Sequence, residues 1–170
     1  LSRSCCGPRV CPNAGREPKY ARLAPETASR RVERAFLEVE AFLRACGAPV
    51  GRSPRLELCR DVRNDRESGN KRAFFHVGHK GPWTVCHDLT AGLLSNSHLY
   101  GLVLHEFGHP LAWKLFGKSR QEDADQAIWK LTEVPISYRT GWVVQWIVPE
   151  DVKIIRRIAH QPPARRSVRR

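Results

Sequence analysis

The sequence predicts a single α+β domain, and three observations carry that expectation. The chain has 170 residues, of which 41% are hydrophobic, enough for one core of ordinary size without covalent staples. Its apolar residues follow a helical period in some stretches and a two-residue period in others. Finally, no internal repeat and no apolar run approaching about 20 residues is present, which argues against solenoids, collagen, coiled coils and a membrane span, and for a soluble chain.

In chain order, residues 27–46 place Val32, Ala35, Phe36, Val39, Phe42 and Leu43 at three- and four-residue spacings, the stripe of an amphipathic helix. Pro25 and Thr27 mark its start, and Gly47 with Pro49 its stop. Residues 55–60 alternate well enough for a strand, and DVRNDRESGNKR after them is a polar loop. Residues 73–78 and 83–89, joined through HKGP, predict a hairpin. From Ser97 the period becomes helical again through Leu99, Leu102, Val103, Phe107, Leu111 and Leu115, with Ser95 or Ser97 as cap and Gly117 as terminator. A second helix is expected over 122–131, an apolar strand or buried turn over 142–148, and a last helix opened by Pro149 and running to about residue 160.

The formal charge of +12 raises the question of nucleic acid. Residues 1–31 contain seven Lys or Arg and two Glu, and the tail QPPARRSVRR contains four Arg, which leaves only three of the twelve units for the body. The excess therefore sits on the ends and not on a groove with interleaved aromatics, which argues against nucleic acid as the main partner. The expected organisation is a flexible basic segment over 1–26, a folded domain over 27–160 and a basic tail over 161–170. The first 26 residues contain no apolar run of signal-peptide type. The six cysteines, Cys5, Cys6, Cys11, Cys46, Cys59 and Cys86, form no CxxC pair, so they suggest neither a zinc ribbon nor a thioredoxin-type site. Their even number permits disulfides without requiring them, and the compartment stays open, an exported origin included.

Chemistry concentrates in LYGLVLHEFGHPLAW. His105 and His109 are four apart on the expected helix, hence on one face, where both imidazoles can reach one Zn²⁺. Glu106, next to the first of them, is placed to take a proton from water at that metal as general base. A third protein donor is needed. No His follows His109 until His160, which excludes the HExxHxxGxxH arrangement, and leaves Glu122, Asp123, Asp125 and Glu133 as acidic candidates. Thirteen residues separate His109 from Glu122, enough for one helix to end at Gly117 and a second to return beside it. Pro110 removes the amide that would bond the Glu106 carbonyl, so a kink is expected just past the site.

HEFGHP followed by RQEDADQAIW resembles the gluzincin side of the zincins, and more closely a bacterial group of predicted metallopeptidases that read HELGHA and then REEDAADQFA. Upstream, AFFHVGHKGPWTVCHDL is similar to that group's A-F-Y segment and I-T-V-C-Y-E-L strand, so the resemblance spans roughly residues 55–130. It implies a zincin-like fold, with a small mixed or antiparallel sheet packed on the HExxH helix, and zinc-dependent hydrolysis of a peptide or protein substrate. This chain is one residue shorter in the acidic segment, reading E-D-A-D. Anchoring the comparison on Ala124 and Asp125 puts Gln121 at the third ligand position, whereas anchoring on the Glu-Asp pair puts Glu122 there. Glu122 is preferred because a carboxylate binds Zn²⁺ better than an amide, with Asp125 or Glu133 as alternatives. If not a ligand, Asp125 can orient a ligating His. His76, His79 and His87 fall in the hairpin as surface positions or substrate contacts, and Tyr138 and Arg139 are candidates for oxyanion stabilisation. Two rival functions remain: a zincin-fold binding domain without turnover, suggested by the shortened segment and Pro110, and a nucleic-acid-associated protease or adaptor using the basic ends.

Overall fold

Pro25 opens the first helix, α1 (Pro25–Ala45), two residues before the expected start at 27, because a proline's missing amide costs nothing in a first turn. A computed structural model of the chain describes residues 20, 22–58, 73–76, 84–87, 91–139 and 142–162, with side chains in 20, 22–56, 91–136 and 146–162. The basic ends, the loop after residue 58, the HKGP turn, and Cys5, Cys6, Cys11 and Cys59 lie outside the described residues.

The described residues are mostly helical. Four helices frame them, and the strands between are short. Strands β1 (Arg55–Leu58), β2 (Ala73–His76) and β3 (Thr84–His87) form a sheet of order β1-β3-β2. β2 and β3 pair antiparallel, as expected of the two hairpin segments, while β1 runs parallel to β3 with Leu56 opposite Val85. The long second helix, α2 (Asn96–Phe116), starts at Ser95, whose Oγ accepts from the His98 amide at 3.3 Å, and ends at Gly117 in the left-handed conformation with φ of 68°. Helical structure runs on through Pro110 to Phe116, so the proline does not terminate the helix. Pro110 lines a shallow surface cleft with Pro49, Val50, Pro54 and Phe107. Helix α3 (Gln121–Thr132) follows after a short connection, then β4 (Ser137–Arg139) and β5 (Trp142–Trp146), paired antiparallel, and α4 (Pro149–Ala159). The three-residue β4 was not expected from the sequence; it is defined by its pairing with β5.

Helix α2 is the central element. α1, α3, α4 and β5 all pack on it, and its buried residues include Leu99, Tyr100, Leu104, Phe107 and Leu111. The Phe36 and Phe107 rings meet at 5.0 Å, joining α1 to α2. Gly101 permits the β5 crossing, since a methyl there would lie 2.8 Å from the Trp146 Cα. No helix among the described residues is long and apolar enough to cross a membrane.

The contact between α1, α2 and α4 carries a buried charge. Glu38 on α1 is 4% exposed and accepts hydrogen bonds from the Tyr100 hydroxyl, from Arg34 Nε at 2.9 Å and from Arg156 Nε at 3.3 Å, and pairs with His160 Nε2 at 2.8 Å. Burial pushes its pKa up, but the bonds from Tyr100, Arg34 and His160 and the Arg34 charge outweigh that and hold it at about 2, below its ordinary 4.5. Tyr100, buried and bonded to this carboxylate, is pushed up to about 12. A depressed carboxylate pKa contributes stability in full above 4.5 and loses it as the pH falls toward 2. Urea unfolding at a series of acidic pH values should show stability declining across that window. Glu38→Gln should flatten that decline and, by weakening the buried bond to Tyr100 and the charge-assisted bond from the part-exposed Arg156, cost about 1–3 kcal/mol at neutral pH.

Candidate functional site

The sequence of α3 decides what faces the two histidines. Its apolar residues Ala124, Ala127 and Ile128 are fully buried, so the helix turns the face containing 121, 124, 125 and 128 toward α2. Two elements of HEFGH make this approach close. His105 is 2% exposed, and Gly108, one turn on, sits under the α3 backbone: a methyl at 108 would lie 2.5 Å from the Ala124 carbonyl oxygen.

The resulting geometry has His105 between two polar groups of α3. Its Nδ1 lies 2.7 Å from Asp125 Oδ1, and its Nε2 lies 2.6 Å from Gln121 Oε1. The His105 and His109 rings stand edge to face with centroids 4.8 Å apart. His109 Nδ1 lies 2.9 Å from Ser119 Oγ, in the connection between α2 and α3. Glu106 is buried at 5% exposure on the same turn of α2. Burial pushes the His105 pKa down, but the Asp125 bond and the Glu106 and Asp125 charges, with Gln121, raise it above its ordinary value. Asp125 Oδ2 is buried with no hydrogen-bond partner among the described residues.

Of the residues singled out from the sequence, the structure thus brings together His105, Glu106, His109, Asp125 and Gln121. Glu122 lies on the exposed side of α3, one residue away from the inward face. Asp123 is buried, but at the helix start, where its carboxylate accepts from the Arg120 amide at 3.0 Å and from Arg120 Nε at 3.1 Å. Glu133 is exposed and closes α3 in the left-handed conformation, with φ of 58°. The α3 residues that the fold sets against His105 are therefore Gln121 and Asp125, not Glu122. A helical wheel of α3 contains part of that signal, because Ala124, Ala127, Ile128 and Leu131 share one side and Glu122 falls on the other with the exposed Trp129. Ser119 was missed, and a lone serine in a polar connection carries no sequence signal of its own. The side chains of His76, His79, His87, Tyr138 and Arg139 lie outside the described residues.

Among the described residues no group of three His, Cys, Asp or Glu side chains is arranged to hold a metal; the third group beside the imidazole pair is an amide. The donor chemistry still suits a divalent ion of the zinc type. His105 faces the Gln121 amide oxygen with the His109 ring beside it, and the carboxylates of Glu106 and Asp125 are close by, one Asp125 oxygen being buried without a hydrogen-bond partner among the described residues.

No protein-family model matches the chain, and neither the curated proteins nor the solved structures contain a match to it.

Gly108→Ala should push α3 away from α2, because the obstacle is backbone that cannot rotate aside. Denaturant unfolding is expected to register a loss of about 1–3 kcal/mol.

Proposed function

We propose that this chain is a zincin-like, zinc-dependent hydrolase of peptide bonds. The observation that carries the reading is the 2.7 Å contact of Asp125 with His105 Nδ1 inside an HExxH helix, because it turns the opposite nitrogen of a buried imidazole toward the second helix. The resemblance of HEFGHP and RQEDADQAIW to a metallopeptidase group supports it from the sequence side.

In this reading His105, His109 and the Gln121 side-chain oxygen hold the ion, and the direct contact between His105 and Gln121 gives way to it. Bound zinc supplies Lewis acidity to the scissile carbonyl and to water. Glu106 accepts the proton of the attacking water and passes it to the departing amine. Its burial on the same turn as His105 places it beside the ion in this reading. Asp125 keeps the neutral His105 ring oriented and strengthens it as a donor. Gly108 is required for α3 to bring Gln121 within reach.

One observation favours a second reading. An amide is a weaker, uncharged donor where a carboxylate would be stronger, and a site with a neutral third donor suits a zincin-fold domain that binds peptides without cleaving them.

Metal analysis of the purified protein should find about one zinc per chain. Gln121→Ala should lower zinc affinity about 10-fold, while Glu122→Ala, on the exposed side, leaves it unchanged. Glu106→Gln should keep the zinc and reduce cleavage of an unstructured protein substrate about 100-fold or more. A protein that takes up no zinc overturns the site, and one that holds zinc but cleaves nothing in either form supports the binding domain.

A further inference from the structure

The proton inventory at Ser119 settles a question about His109 that the metal reading leaves open. A histidine offers the nitrogen that does not carry its proton, and which nitrogen that is depends on what the ring's other edge meets. The Ser119 hydroxyl has one hydrogen. It donates that hydrogen to the main-chain carbonyl of His109, 2.9 Å away, an atom that can only accept. The same Oγ lies 2.9 Å from His109 Nδ1. With its hydrogen already committed, Oγ has only lone pairs to offer there, so the proton of this second bond sits on Nδ1 and the lone pair of neutral His109 is on Nε2.

We propose that Ser119 is a positioning residue that locks His109 as the Nδ1–H tautomer and presents Nε2 to the site. It is anchored by a main-chain carbonyl on the same residue whose ring it orients, so ring and hydroxyl are held as one unit. The neighbouring connection is fixed on both sides: Gly117 ends α2 in the left-handed conformation, and Asp123 ties Arg120 and Lys118, the latter at 3.4 Å. His105 is oriented through the same nitrogen by Asp125. Both rings thus turn Nδ1 to a partner outside the pair, a carboxylate for one and a neutral hydroxyl for the other. The tautomer follows from hydrogen-bond accounting alone, whereas its use in presenting a ligand rests on the zinc reading above.

Long-range proton–nitrogen correlation spectra of the metal-free protein, recorded well above the histidine titration range, read the tautomer directly. Wild type should show His109 protonated on Nδ1. Ser119→Ala should show a mixture of tautomers and bind zinc about 10-fold more weakly in chelator competition, and Ser119→Thr should restore both. A wild-type ring protonated on Nε2 overturns the proposal, as does Ser119→Ala with tautomer and affinity unchanged. Should Ser119→Ala fail to fold, the spectra of wild type and Ser119→Thr still decide it. If wild type shows the Nδ1–H form yet binds no zinc, the tautomer assignment is supported and the zinc reading falls.

Discussion

The arrangement around the paired histidines depends on a missing methyl group. Gly108 brings the α2 surface so close to the α3 backbone that any side chain would collide with the Ala124 carbonyl. A glycine inside a helix costs about 1 kcal/mol relative to alanine, and a glycine in the middle of HEFGH accepts that cost for proximity. Proximity is what allows short side chains to meet. Asp125 reaches His105 at 2.7 Å only because the helix axes are close, and a wider pair would call for longer residues or bridging water. Gly101 plays a matching role two turns earlier, letting β5 cross the same helix. Helix α2 is therefore clasped at two points, and its imidazoles are held by packing rather than by their own rotamer preferences.

Two of the buried charged clusters among the described residues, at Glu38 and at His105, differ in how well they are satisfied. Around Glu38, hydrogen bonds or ion pairs come from Tyr100, Arg34, Arg156 and His160, three helices in all, and the pKa falls to about 2. Such a cluster fixes how α1, α2 and α4 dock, because desolvating a carboxylate is tolerable only when its lone pairs are used. The cluster at His105 is different. One imidazole faces an aspartate, a glutamate and an amide, and one oxygen of the aspartate is left without a hydrogen-bond partner among the described residues. Asp125 Oδ2 shares that state, among the described residues, with Asp151 Oδ2 in the first turn of α4.

The closeness of α3 to α2 also changes what the shortened acidic segment means. Read as letters, R-Q-E-D-A-D invites the carboxylate of Glu122 as partner for the imidazoles. Read as a helix, the four-residue step from Gln121 to Asp125 puts both on the side where Ala124 and Ile128 are buried. Glu122 then faces outward and Asp123 serves the helix start. The resulting inner surface is less negative than a His-His-Glu arrangement, which bears on both proposed readings of the protein.

Local patterns in the sequence determined the helices and their limits to within a residue or two, the hairpin strands, and the face shared by His105 and His109, since periodicity, caps and turn residues are properties of neighbouring positions. The sequence also named Asp125 as a possible orienting partner and Gln121 as one of two residues for the third position. On donor chemistry it preferred Glu122, where the fold sets Gln121 beside His105, and it did not find Ser119 or show that β1 runs parallel to β3 or that β4 pairs with β5. Each of those outcomes depends on how segments far apart in the chain approach one another. The rotation of α3 about its axis is set by burying Ala124 and Ile128 against α2, and that burial, not the chemistry of the side chains beside it, decides which polar residue is carried to the imidazoles.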